Sequence, residues 1–358
     1  MKDKLLLDQT SKVYIMAPAN TATGGPELLH QLCSSLRSRN IDACMYYYPH
    51  DVNNPIHPSY EMYQNPYVHN IVDNEDNVII VPELYSYIES LKNFKSIKRV
   101  IWWLSVDNYY TSKFLYIHRI FVLFMRTINK FLKVMGSKKK FPLVIEYCIE
   151  KYRKDSMING NAISLADYHL VQSCYAKEHL KQHGILQATE LSDYLNKNFL
   201  DISTNIALKS NKVAYNPAKG HTFTCKIIQE HPDIEFVPIE QMSKDEVITL
   251  LKQCKVYIDF GHHPGKDRIP REAALLGCCV LTNRRGSANF FTDVPILDSY
   301  KYNETQDDIR RLGDMIRDIF VNFETHYDCF KMYRNRIKDE PAVFEMQIEN
   351  FFTQSEKK

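Results

Sequence analysis

The stretch "YIDFGHHPGKDRIPREAALLGCCVLTNRRGSANF", from Tyr257 to Phe290, decides the fold prediction for this chain. An apolar strand runs into a loop rich in histidine, glycine and cationic residues. A helical pattern containing Glu272 follows, and then a second apolar strand. Strands joined in this way are typical of parallel α/β sheets, which bind ligands at the carboxyl ends of their strands. The loop is therefore where we first expect a binding site.

The charges of this stretch indicate the kind of ligand. We expect the helix to begin near Pro270, which places Glu272 in its first turn. A carboxylate there accepts hydrogen bonds from both hydroxyls of a ribose. The free N–H groups of the helix, with Lys266 and Arg268 just ahead of them, suit a diphosphate. The alternative is that Glu272 is only a favourable charge at a helix N-terminus, worth about a few tenths of a kcal/mol.

The composition of the whole chain limits the classes of protein. A chain of 358 residues is too long for one ordinary core, and it predicts two domains. An apolar content of 44% and a charged content of 25% are those of a globular protein and not of a disordered one. The net charge of +2 excludes a strongly polyanionic partner for the protein as a whole.

The cysteines and the N-terminus predict a cytoplasmic protein. The nine cysteines include no CxxC pair and no Cys/His spacing of a zinc site, so we expect reduced thiols in a cytosolic enzyme. The apolar run near the N-terminus is too short for a signal peptide. No apolar run reaches the roughly 18 residues of a membrane-spanning helix.

Strand and helix patterns alternate along most of the chain, which predicts an α/β protein with two Rossmann-like doubly wound domains facing a central cleft. We expect an N-terminal domain over residues 1–200 and a C-terminal domain over 201–340. A helix over 341–358 is expected to pack back on the N-terminal domain. The polar stretch from Leu191 to Asn211 is interpreted as a linker, and the segment after about Glu304 as helical throughout.

A second possible anion site follows the first long strand. The sequence "APANTATGGPE" is not GxGxxG, but Gly24 and Gly25 stand immediately before a helix, with Pro26 suited to its first turn. Adjacent glycines let backbone N–H groups approach an anion, and the helix N-terminus adds positive potential. The alternative is a tight strand-to-helix turn without a ligand. Dehydrogenases, two-domain binding proteins and nucleotide-sugar transferases all fit these observations.

Taken together, these motifs resemble the GT-B-fold glycosyltransferases of the large retaining family that contains many bacterial polysaccharide and lipopolysaccharide transferases. The segment "TGGPELLHQLCSSLRSRNID" is similar to that family's first strand–helix unit, which implies that Gly24 and Gly25 approach the donor phosphates. The segment "AYNPAKGHTFTCKII" is similar to the opening of its C-terminal domain, which implies a diphosphate contact for Lys219. The likeness covers nearly the whole chain.

The resemblance also assigns roles within the decisive stretch. Glu272 matches the second glutamate of the family's E-x7-E motif, which implies that it holds the donor ribose. Pro264 stands where the first glutamate is expected, and the arginine usual before the phosphate-binding lysine has no counterpart. The predicted donor site is listed as Gly24, Gly25, Lys219, His262, His263, Gly265, Lys266, Arg268 and Glu272.

We expect the site to work without a metal or another cofactor. No DxD motif lies in a short loop, so Lys219, Lys266 and Arg268, with helix N-termini, would meet the diphosphate charge. The neighbouring His262 and His263 are interpreted as solvated or phosphate-contacting, because adjacent residues rarely both point at one metal. The predicted catalytic residues are Lys219, Arg268 and Asp107. Asp107, in "IWWLSVDNYY", would orient an acceptor hydroxyl, the alternative being an aromatic core strand with a polar turn.

One segment departs from an ordinary globular pattern. The stretch from Lys113 to Lys140 contains eight lysines and arginines and no acidic residue. Its spacing places four cations on one helical face: Arg119, Arg126, Lys130 and Lys133. A basic amphipathic helix of this kind is typical of membrane-surface binding, the alternative being a helix packed under a second domain. The absence of a recognition motif disfavours nucleic acid.

We therefore predict a glycosyltransferase that moves a sugar, with retention, from a nucleotide-sugar donor to a saccharide acceptor. The acceptor is expected to be lipid-linked and the role to be in cell-surface polysaccharide synthesis. The enzyme is then expected in the cytoplasm, peripheral to the inner face of the cell membrane. One rival is a catalytically idle GT-B scaffold or membrane-recruiting protein. Another is a dinucleotide-dependent oxidoreductase or epimerase, which the missing GxGxxG and Tyr-x-x-x-Lys patterns disfavour.

Overall fold

The computed structural model describes residues 4–50, 52–134 and 163–354. The chain divides into two compact units, each of which contains a parallel sheet flanked by helices. The first unit comprises Met1–Gln172, Ala176–Leu191 and Glu345–Lys358, and the second comprises Ser173–Tyr175 and Ser192–Phe344. The predicted α/β class is thereby confirmed.

The first unit is built on a seven-stranded parallel sheet and a separate strand pair. The strands are β1 (Leu5–Leu7), β2 (Lys12–Pro18), β3 (Asp42–Tyr48), β4 (Tyr67–Val68), β5 (Val78–Pro82), β6 (Lys98–Trp103), β7 (Tyr168–Val171) and β8 (Thr189–Glu190). The helices among its described residues are α1 (Gly24–Ser38), α2 (Tyr85–Ser90), α3 (Val106–Ile117), α4 (Arg119–Val134) and most of α5 (Cys174–Gln182). The sheet order is β4-β3-β2-β5-β6-β7-β8, so the direction of winding reverses between β2 and β5.

The second unit is built on a five-stranded parallel sheet. Its strands are β9 (Ser210–Tyr215), β10 (Glu235–Pro238), β11 (Cys254–Asp259), β12 (Cys279–Asn283) and β13 (Lys301–Tyr302). Its helices are α6 (Lys197–Leu200), α7 (His221–Glu230), α8 (Lys244–Gln253), α9 (Arg268–Leu275), α10 (Gln306–Val321), α11 (Phe323–Cys329) and the first part of α12 (Lys331–Phe351). The order is β10-β9-β11-β12-β13, and the winding reverses between β9 and β11.

The central strands are apolar on both faces because helices cover both sides of each sheet. All five residues of β5 and all five of β12 are buried. For this reason, the strands are marked in the sequence by continuous apolar runs and not by an alternation of apolar and polar residues.

The closing segment is not helical throughout, which corrects the sequence interpretation. Helix α12 ends at Phe351, and β14 (Phe352–Gln354) follows directly and pairs in parallel with β1, with Leu5 opposite Phe352. Neither strand exceeds three residues, which is too short to give a recognisable period in the sequence.

The stretch predicted to be a linker contributes a charged core residue to the second unit. Asp193 is 1% exposed and accepts two hydrogen bonds, of 3.1 and 2.5 Å, from the guanidinium of Arg271 in α9. Glu340 of α12 accepts a third from Arg271 at 2.8 Å, and the Lys266 Nζ also lies 2.8 Å from Glu340. Burial alone lowers the pKa of Arg271, but Asp193 and Glu340 outweigh it and raise that pKa. This buried ion cluster fastens the stretch to two helices.

A buried histidine lies in the core of the first unit. His30 of α1 is 1% exposed, and its Nε2 lies 3.2 Å from the hydroxyl of Tyr47. The amide of Asn65 lies 3.4 Å from its Nδ1 and donates to its backbone carbonyl at 2.9 Å. Burial lowers the pKa of His30 to about 4, although the neighbouring Glu27 acts in the opposite direction.

His30 therefore makes stability depend on pH. The unfolded chain takes up a proton on this side chain near pH 6.5, whereas the folded chain keeps it neutral down to about pH 4. Because the unfolded state binds more protons between these values, acid favours unfolding there. Between pH 7 and pH 5, acid should lower the free energy of unfolding of the wild type by about 2 kcal/mol more than that of His30→Gln. Chemical denaturation at the two pH values measures this difference. The exposed His221→Gln is the control, and identical pH profiles for wild type and His30→Gln would contradict the assignment.

The buried ion cluster predicts a large cost for removing its central cation. Arg271→Met leaves Asp193 and Glu340 without their guanidinium, so we expect a loss of about 3–5 kcal/mol in the free energy of unfolding. Arg310→Met is the matched control, because Arg310 is 75% exposed and pairs with the exposed Asp307. That variant should change the free energy of unfolding by less than about 1 kcal/mol. Equal losses in the two variants would refute a structural role for the cluster.

Candidate functional site

The decisive stretch of sequence lies where the winding of the second sheet reverses. Lys219 follows β9, the loop 260–267 follows β11, and Arg285 follows β12, so three neighbouring strands present these segments at one edge. Ligands bind at the carboxyl ends of the strands, at such reversal points, in open parallel sheets. This edge is the candidate site, and we call it the switch-point site.

Glycines let the three loops of this site touch one another. Gly220 has a φ of +60°, and a Cβ on it would overlap the backbone of Phe260. A Cβ on Gly261 would overlap the side chain of Lys219, and one on Gly286, with a φ of +61°, would overlap the carbonyl of His263. Larger residues are therefore excluded by contact, and at two of the three positions by backbone conformation as well.

Hydrogen bonds from the β12 side hold the histidine-containing loop in place. The Asn283 side-chain amide donates to the Gly261 carbonyl at 2.7 Å, and the Ser287 backbone N–H donates to the His263 carbonyl at 2.8 Å. The Ser287 hydroxyl donates to the Gly265 carbonyl at 2.6 Å. The loop is thus part of the rigid edge of the sheet and not a free connection.

Four charged groups form the centre of the site. Lys219 Nζ lies 2.7 Å from Asp267 Oδ2, and His263 Nδ1 lies 3.0 Å from the same oxygen. His263 Nε2 lies 3.7 Å from Asp259 Oδ1. Burial by itself lowers the pKa of His263, but the carboxylates of Asp259 and Asp267 outweigh it and raise that pKa. Burial favours neutral Asp267, yet His263 and Lys219 lower its pKa.

Among the described residues, Asp259, His263 and Asp267 are the one group whose ligand atoms lie close enough together to hold a metal ion. Atoms of Asp259, His263 and Asp267 lie within 4.8 Å of one another. However, both imidazole nitrogens already face carboxylates, and Lys219 occupies an oxygen of Asp267. Both carboxylates therefore already have nitrogen partners, so a cation would have to displace one of them. The residues fit an internal ion network better than a metal site.

Helix α9 begins earlier than the sequence predicted. Asp267 is its N-cap residue and Arg268 its first residue, which makes Pro270 the third and moves Glu272 into the second turn. The prediction that Glu272 lies in the first turn is wrong. Proline fits at the third position because the first N–H groups of a helix have no intrahelical acceptor. Glu272 is 8% exposed, and its Oε1 lies 3.6 Å from Arg268 Nε.

Apart from Glu272, the predicted donor residues of this unit separate into two groups. The side chains of Lys219 and Arg268 are 36% and 25% exposed, and His262 is also partly exposed, with its ring 6.1 Å from that of Tyr175. By contrast, His263 and Gly265 are buried, and Lys266 belongs to the buried ion cluster. The first group lies where a ligand can reach it, whereas the second supports the loop.

Sequence reasoning missed one exposed cation at this site. Arg285 donates to the carbonyl of Phe260 at 2.7 Å and to Glu304 at 2.8 Å, and its side chain is 50% exposed. It therefore flanks the same loop as Lys219. The available signal was its position two residues after a buried strand, in "TNRRGS".

The remaining predicted catalytic and donor residues belong to the first unit. Gly24 and Gly25 do not precede α1, as predicted, but are its first two residues, after the N-cap Thr23. Their N–H groups are still among those without an intrahelical acceptor. A Cβ on Gly25 would make only an ordinary contact of 3.8 Å with Leu104, so the fold itself does not require glycine there.

Asp107 is the second residue of α3, beside a buried carboxyl group that sequence reasoning also missed. Glu83 follows β5 and is 2% exposed. It accepts hydrogen bonds from the Leu104 N–H at 2.9 Å and from the Asn108 amide at 3.2 Å. Burial raises the pKa of Glu83 to about 7, although these hydrogen bonds oppose the shift. Glu83 thus holds the start of the helix that carries Asp107.

The predicted basic amphipathic helix is two helices in the described residues. Helix α3 ends at Ile117, and α4 begins at Arg119 after a break at His118. The side chains of Arg119 and Lys130 are exposed, whereas residues 135–140 and the side chains of Arg126 and Lys133 lie outside the described part. Large apolar side chains nearby are 49–77% exposed: Tyr116, Ile117, Ile120, Leu123 and Phe124. In the described residues, no helix has the length and apolar character needed to cross a membrane.

Solved structures share the fold of this chain at low sequence identity. Sucrose-phosphate synthase from Thermosynechococcus elongatus superposes with a TM-score of 0.60 at 11% identity, over 94% of this chain and 97% of that one. HepE from Anabaena, solved with UDP-glucose, superposes with a TM-score of 0.54 at 10% identity, over 94% and 98%. An α-glucosyltransferase solved with UDP and DNA gives 0.52 at 8% identity, over 95% and 98%.

No protein-family model matches the sequence, and no curated protein is similar enough in sequence to count as a relative. The likeness is therefore one of structure. It extends over nearly the full length of both chains in each superposition. The chain has the fold of the GT-B glycosyltransferases, as its sequence predicted.

Proposed function

We propose that this protein is a glycosyltransferase that moves a sugar from a nucleoside-diphosphate sugar to a saccharide acceptor, with retention of anomeric configuration. The observation that carries the proposal is the switch-point site. Lys219, Arg268 and Arg285 flank the start of α9, and the acidic Glu272 lies one turn further along. Cations and a helix N-terminus suit a diphosphate, and a nearby carboxylate suits a ribose.

Two of the structurally similar proteins support this choice of ligand. HepE was solved with UDP-glucose, and the α-glucosyltransferase with UDP. Because those chains share the fold and not the sequence, the ligand is transferred to this chain by proposal only. A dinucleotide-dependent oxidoreductase gains no such support.

The proposed reaction needs little chemistry from the protein. The acceptor oxygen forms a bond to the anomeric carbon while the bond from that carbon to the diphosphate oxygen breaks. The acceptor proton passes to the departing diphosphate. Lys219 and Arg268 would stabilise the charge that develops on the leaving group, and Asp107 would orient the acceptor hydroxyl. No metal is required in this scheme, because protein cations meet the diphosphate charge.

We further propose a lipid-linked acceptor at the cytoplasmic face of the membrane, in cell-surface polysaccharide synthesis. The support is the exposed apolar band of α3 and α4, which includes Ile120 and Phe124 and lies next to the exposed Arg119 and Lys130. Apolar side chains enter the headgroup boundary, and each cation near an anionic leaflet contributes about 1 kcal/mol.

The nucleotide part of the proposal predicts a specific ligand class. Calorimetry with a panel of nucleoside diphosphates and NAD(H) should show binding of a diphosphate and not of NAD(H). Glu272→Ala should weaken that binding about tenfold or more, since a ribose contact is lost. Lys219→Ala and Arg268→Ala should lower turnover more than they lower folding stability. Some loss of stability is expected for Lys219→Ala, because Asp267 loses its ammonium partner. Lys212→Ala, which removes a partly exposed cation near the start of β9, is the control and should behave as wild type.

The outcomes of that panel separate the rivals. Binding of NAD(H) alone would overturn the transferase proposal in favour of an oxidoreductase or epimerase. No nucleotide binding at all would favour a scaffold, a possibility consistent with Pro264 at the position of the first motif glutamate. Full activity in all three variants would show that the site is elsewhere.

The membrane part predicts reversible, salt-sensitive binding to anionic vesicles. Sedimentation with phosphatidylserine-containing vesicles should recover wild type, and the variant Arg119/Arg126/Lys130/Lys133→Glu should stay in the supernatant. Ile120→Ser/Phe124→Ser should also weaken binding, because the apolar contribution is removed. Val321→Ser, at an 81%-exposed position on α10, is the control.

Binding should also fall as salt rises, since screening acts within about 8 Å at physiological ionic strength. Equal partitioning of wild type and the glutamate variant would refute the membrane proposal. The segment would then be a helix pair with a different apolar partner.

A further inference from the structure

One residue at the carboxyl end of the second sheet has a backbone conformation that suits glycine. Glu304 lies two residues after β13 and has a φ of +62°. A residue with a Cβ occupies this left-handed region at a cost, whereas glycine occupies it freely. Strained residues of this kind persist only where the surrounding structure fixes them, and they cluster at active sites and ligand clamps. The contacts of the Glu304 side chain must therefore offset the strain.

The side chain of Glu304 is bound by two residues at the end of β12. Its Oε1 accepts a hydrogen bond of 2.7 Å from the Asn283 amide and one of 2.8 Å from Arg285 Nη2. Asn283 is buried, and its amide also donates to the Gly261 carbonyl at 2.7 Å. One carboxylate oxygen thus links the segments that follow β11, β12 and β13.

The guanidinium of Arg285 is fixed at one nitrogen and has donors left at the other two. In the described part of the chain, its side chain makes two hydrogen bonds, to Glu304 and to the Phe260 carbonyl at 2.7 Å, and both start from Nη2. A guanidinium has five N–H groups, two on each terminal nitrogen and one on Nε. No described residue accepts from the three N–H groups of Nε and Nη1, and the side chain is 50% exposed. Arg285 is therefore held in place and still able to bind a ligand.

Arg285 lies next to the loop that carries Lys219. A Cβ on Gly220 would overlap the same Phe260 carbonyl that accepts from Arg285. A Cβ on Gly261, the residue after Phe260, would overlap the side chain of Lys219. The guanidinium is thus anchored to the part of the loop after β11 that packs against the loop after β9. This is the edge at which the winding of the sheet reverses.

The neighbouring Arg284 shows a different arrangement. Both of its terminal nitrogens are used by one residue, because Nη1 donates to Asp298 Oδ1 at 2.9 Å and Nη2 donates to the Asp298 carbonyl at 3.1 Å. Its side chain is 30% exposed, compared with 50% for Arg285. Of these two adjacent arginines, Arg285 is therefore the one whose hydrogen bonds connect it to the switch-point site.

A phosphate group is a ligand that suits such an arginine. Guanidinium N–H groups donate charge-assisted hydrogen bonds, and arginine is favoured where phosphate oxygens are bound. Ordering a long side chain on binding costs affinity, by a factor of about two to ten. Glu304 removes this cost, because it holds the guanidinium of Arg285 before a ligand arrives.

We infer that Glu304 is a positioning residue, which holds Arg285 so that the remaining N–H groups of its guanidinium bind a phosphate group at the switch-point site. The assignment of that phosphate to a nucleoside diphosphate rests on the proposed transferase function. The positioning of Arg285 by Glu304 rests on their own contacts. The strained backbone at Glu304 is consistent with this role, since glycine would fit the backbone better but could not hold the arginine.

The test compares two substitutions of Glu304 that both remove its charge. Isothermal titration of the full chain with UDP, GDP, ADP, dTDP and inorganic pyrophosphate measures affinity, and thermal unfolding shows that each variant is folded. Glu304→Gln keeps an oxygen that accepts from Arg285, so its affinity should stay within about twofold of wild type. Glu304→Gly loses that oxygen, so its affinity should fall about two- to tenfold. Equal losses in the two variants would show that the charge matters and would overturn the positioning role.

Substitutions of the arginines test whether Glu304 acts through Arg285. Arg285→Ala should weaken binding about tenfold, since charge-assisted hydrogen bonds are lost. The double variant Arg285→Ala/Glu304→Gly should bind no more weakly than Arg285→Ala, because Glu304 then has nothing left to position. Arg284→Ala and Asp298→Asn, an adjacent arginine and its partner, are the matched controls and should change affinity by less than about twofold.

The choice of probes separates this inference from the proposed function. Nucleotide binding that Arg285→Ala leaves unchanged, or losses that add up in the double variant, would overturn the inference and leave the transferase proposal intact. Pyrophosphate binding that Arg285→Ala and Glu304→Gly weaken, in a chain that binds none of the nucleotides, would support the inference and overturn the transferase. Binding of no probe at all would overturn both.

Discussion

The neutralisation of Asp267 is the interaction on which the candidate site depends. A carboxylate at the N-cap of α9 would repel an anion from the N–H groups of that helix if it stood alone. Lys219 and His263 both contact its Oδ2, at 2.7 and 3.0 Å, and so cancel its charge at the edge of the sheet. The same contacts tie the loop after β9 to the loop after β11. The charge balance of the site and the positions of the two loops therefore both depend on Asp267 Oδ2. A phosphate that bound Lys219 would have to share this lysine with Asp267.

The charges of the loop after β11 and of helix α9 are divided between buried residues, which support the structure, and partly exposed ones. Lys266 and Arg271 point into the buried ion cluster with Asp193 and Glu340, whereas Arg268 remains partly exposed beside Glu272. Residues only a few positions apart thus have opposite roles. Lys266 and Arg271 hold α9 in the protein core, and Arg268 gives the N-terminus of the helix a positive surface.

The sequence predicted the α/β class and most strands, because long apolar runs and glycine-rich loops report burial and chain reversal directly. The GT-B fold was implied by the resemblance of its motifs to a known family. It failed where the determining contact is distant in the chain. Nothing local marks Asp193 as the partner of Arg271, and the three-residue strands β1 and β14 have too few residues to show a period. The start of α9 was misplaced because proline is tolerated at several positions of a first turn. Buried Glu83 was overlooked because burial of a single acidic residue cannot be read from its neighbours.

The glycine contacts among the three loops of the switch-point site have a consequence for binding thermodynamics. Gly220, Gly261 and Gly286 let backbone and side-chain atoms of neighbouring loops meet at contact distance, so no loop can move without displacing the next. A ligand that enters such a site loses little affinity to ordering the protein, since the ordering was completed during folding. Affinity is then set mainly by the fit of the ligand to a fixed surface. We therefore expect this edge to select its substrate by fit to a preformed surface and not by a conformational change on binding.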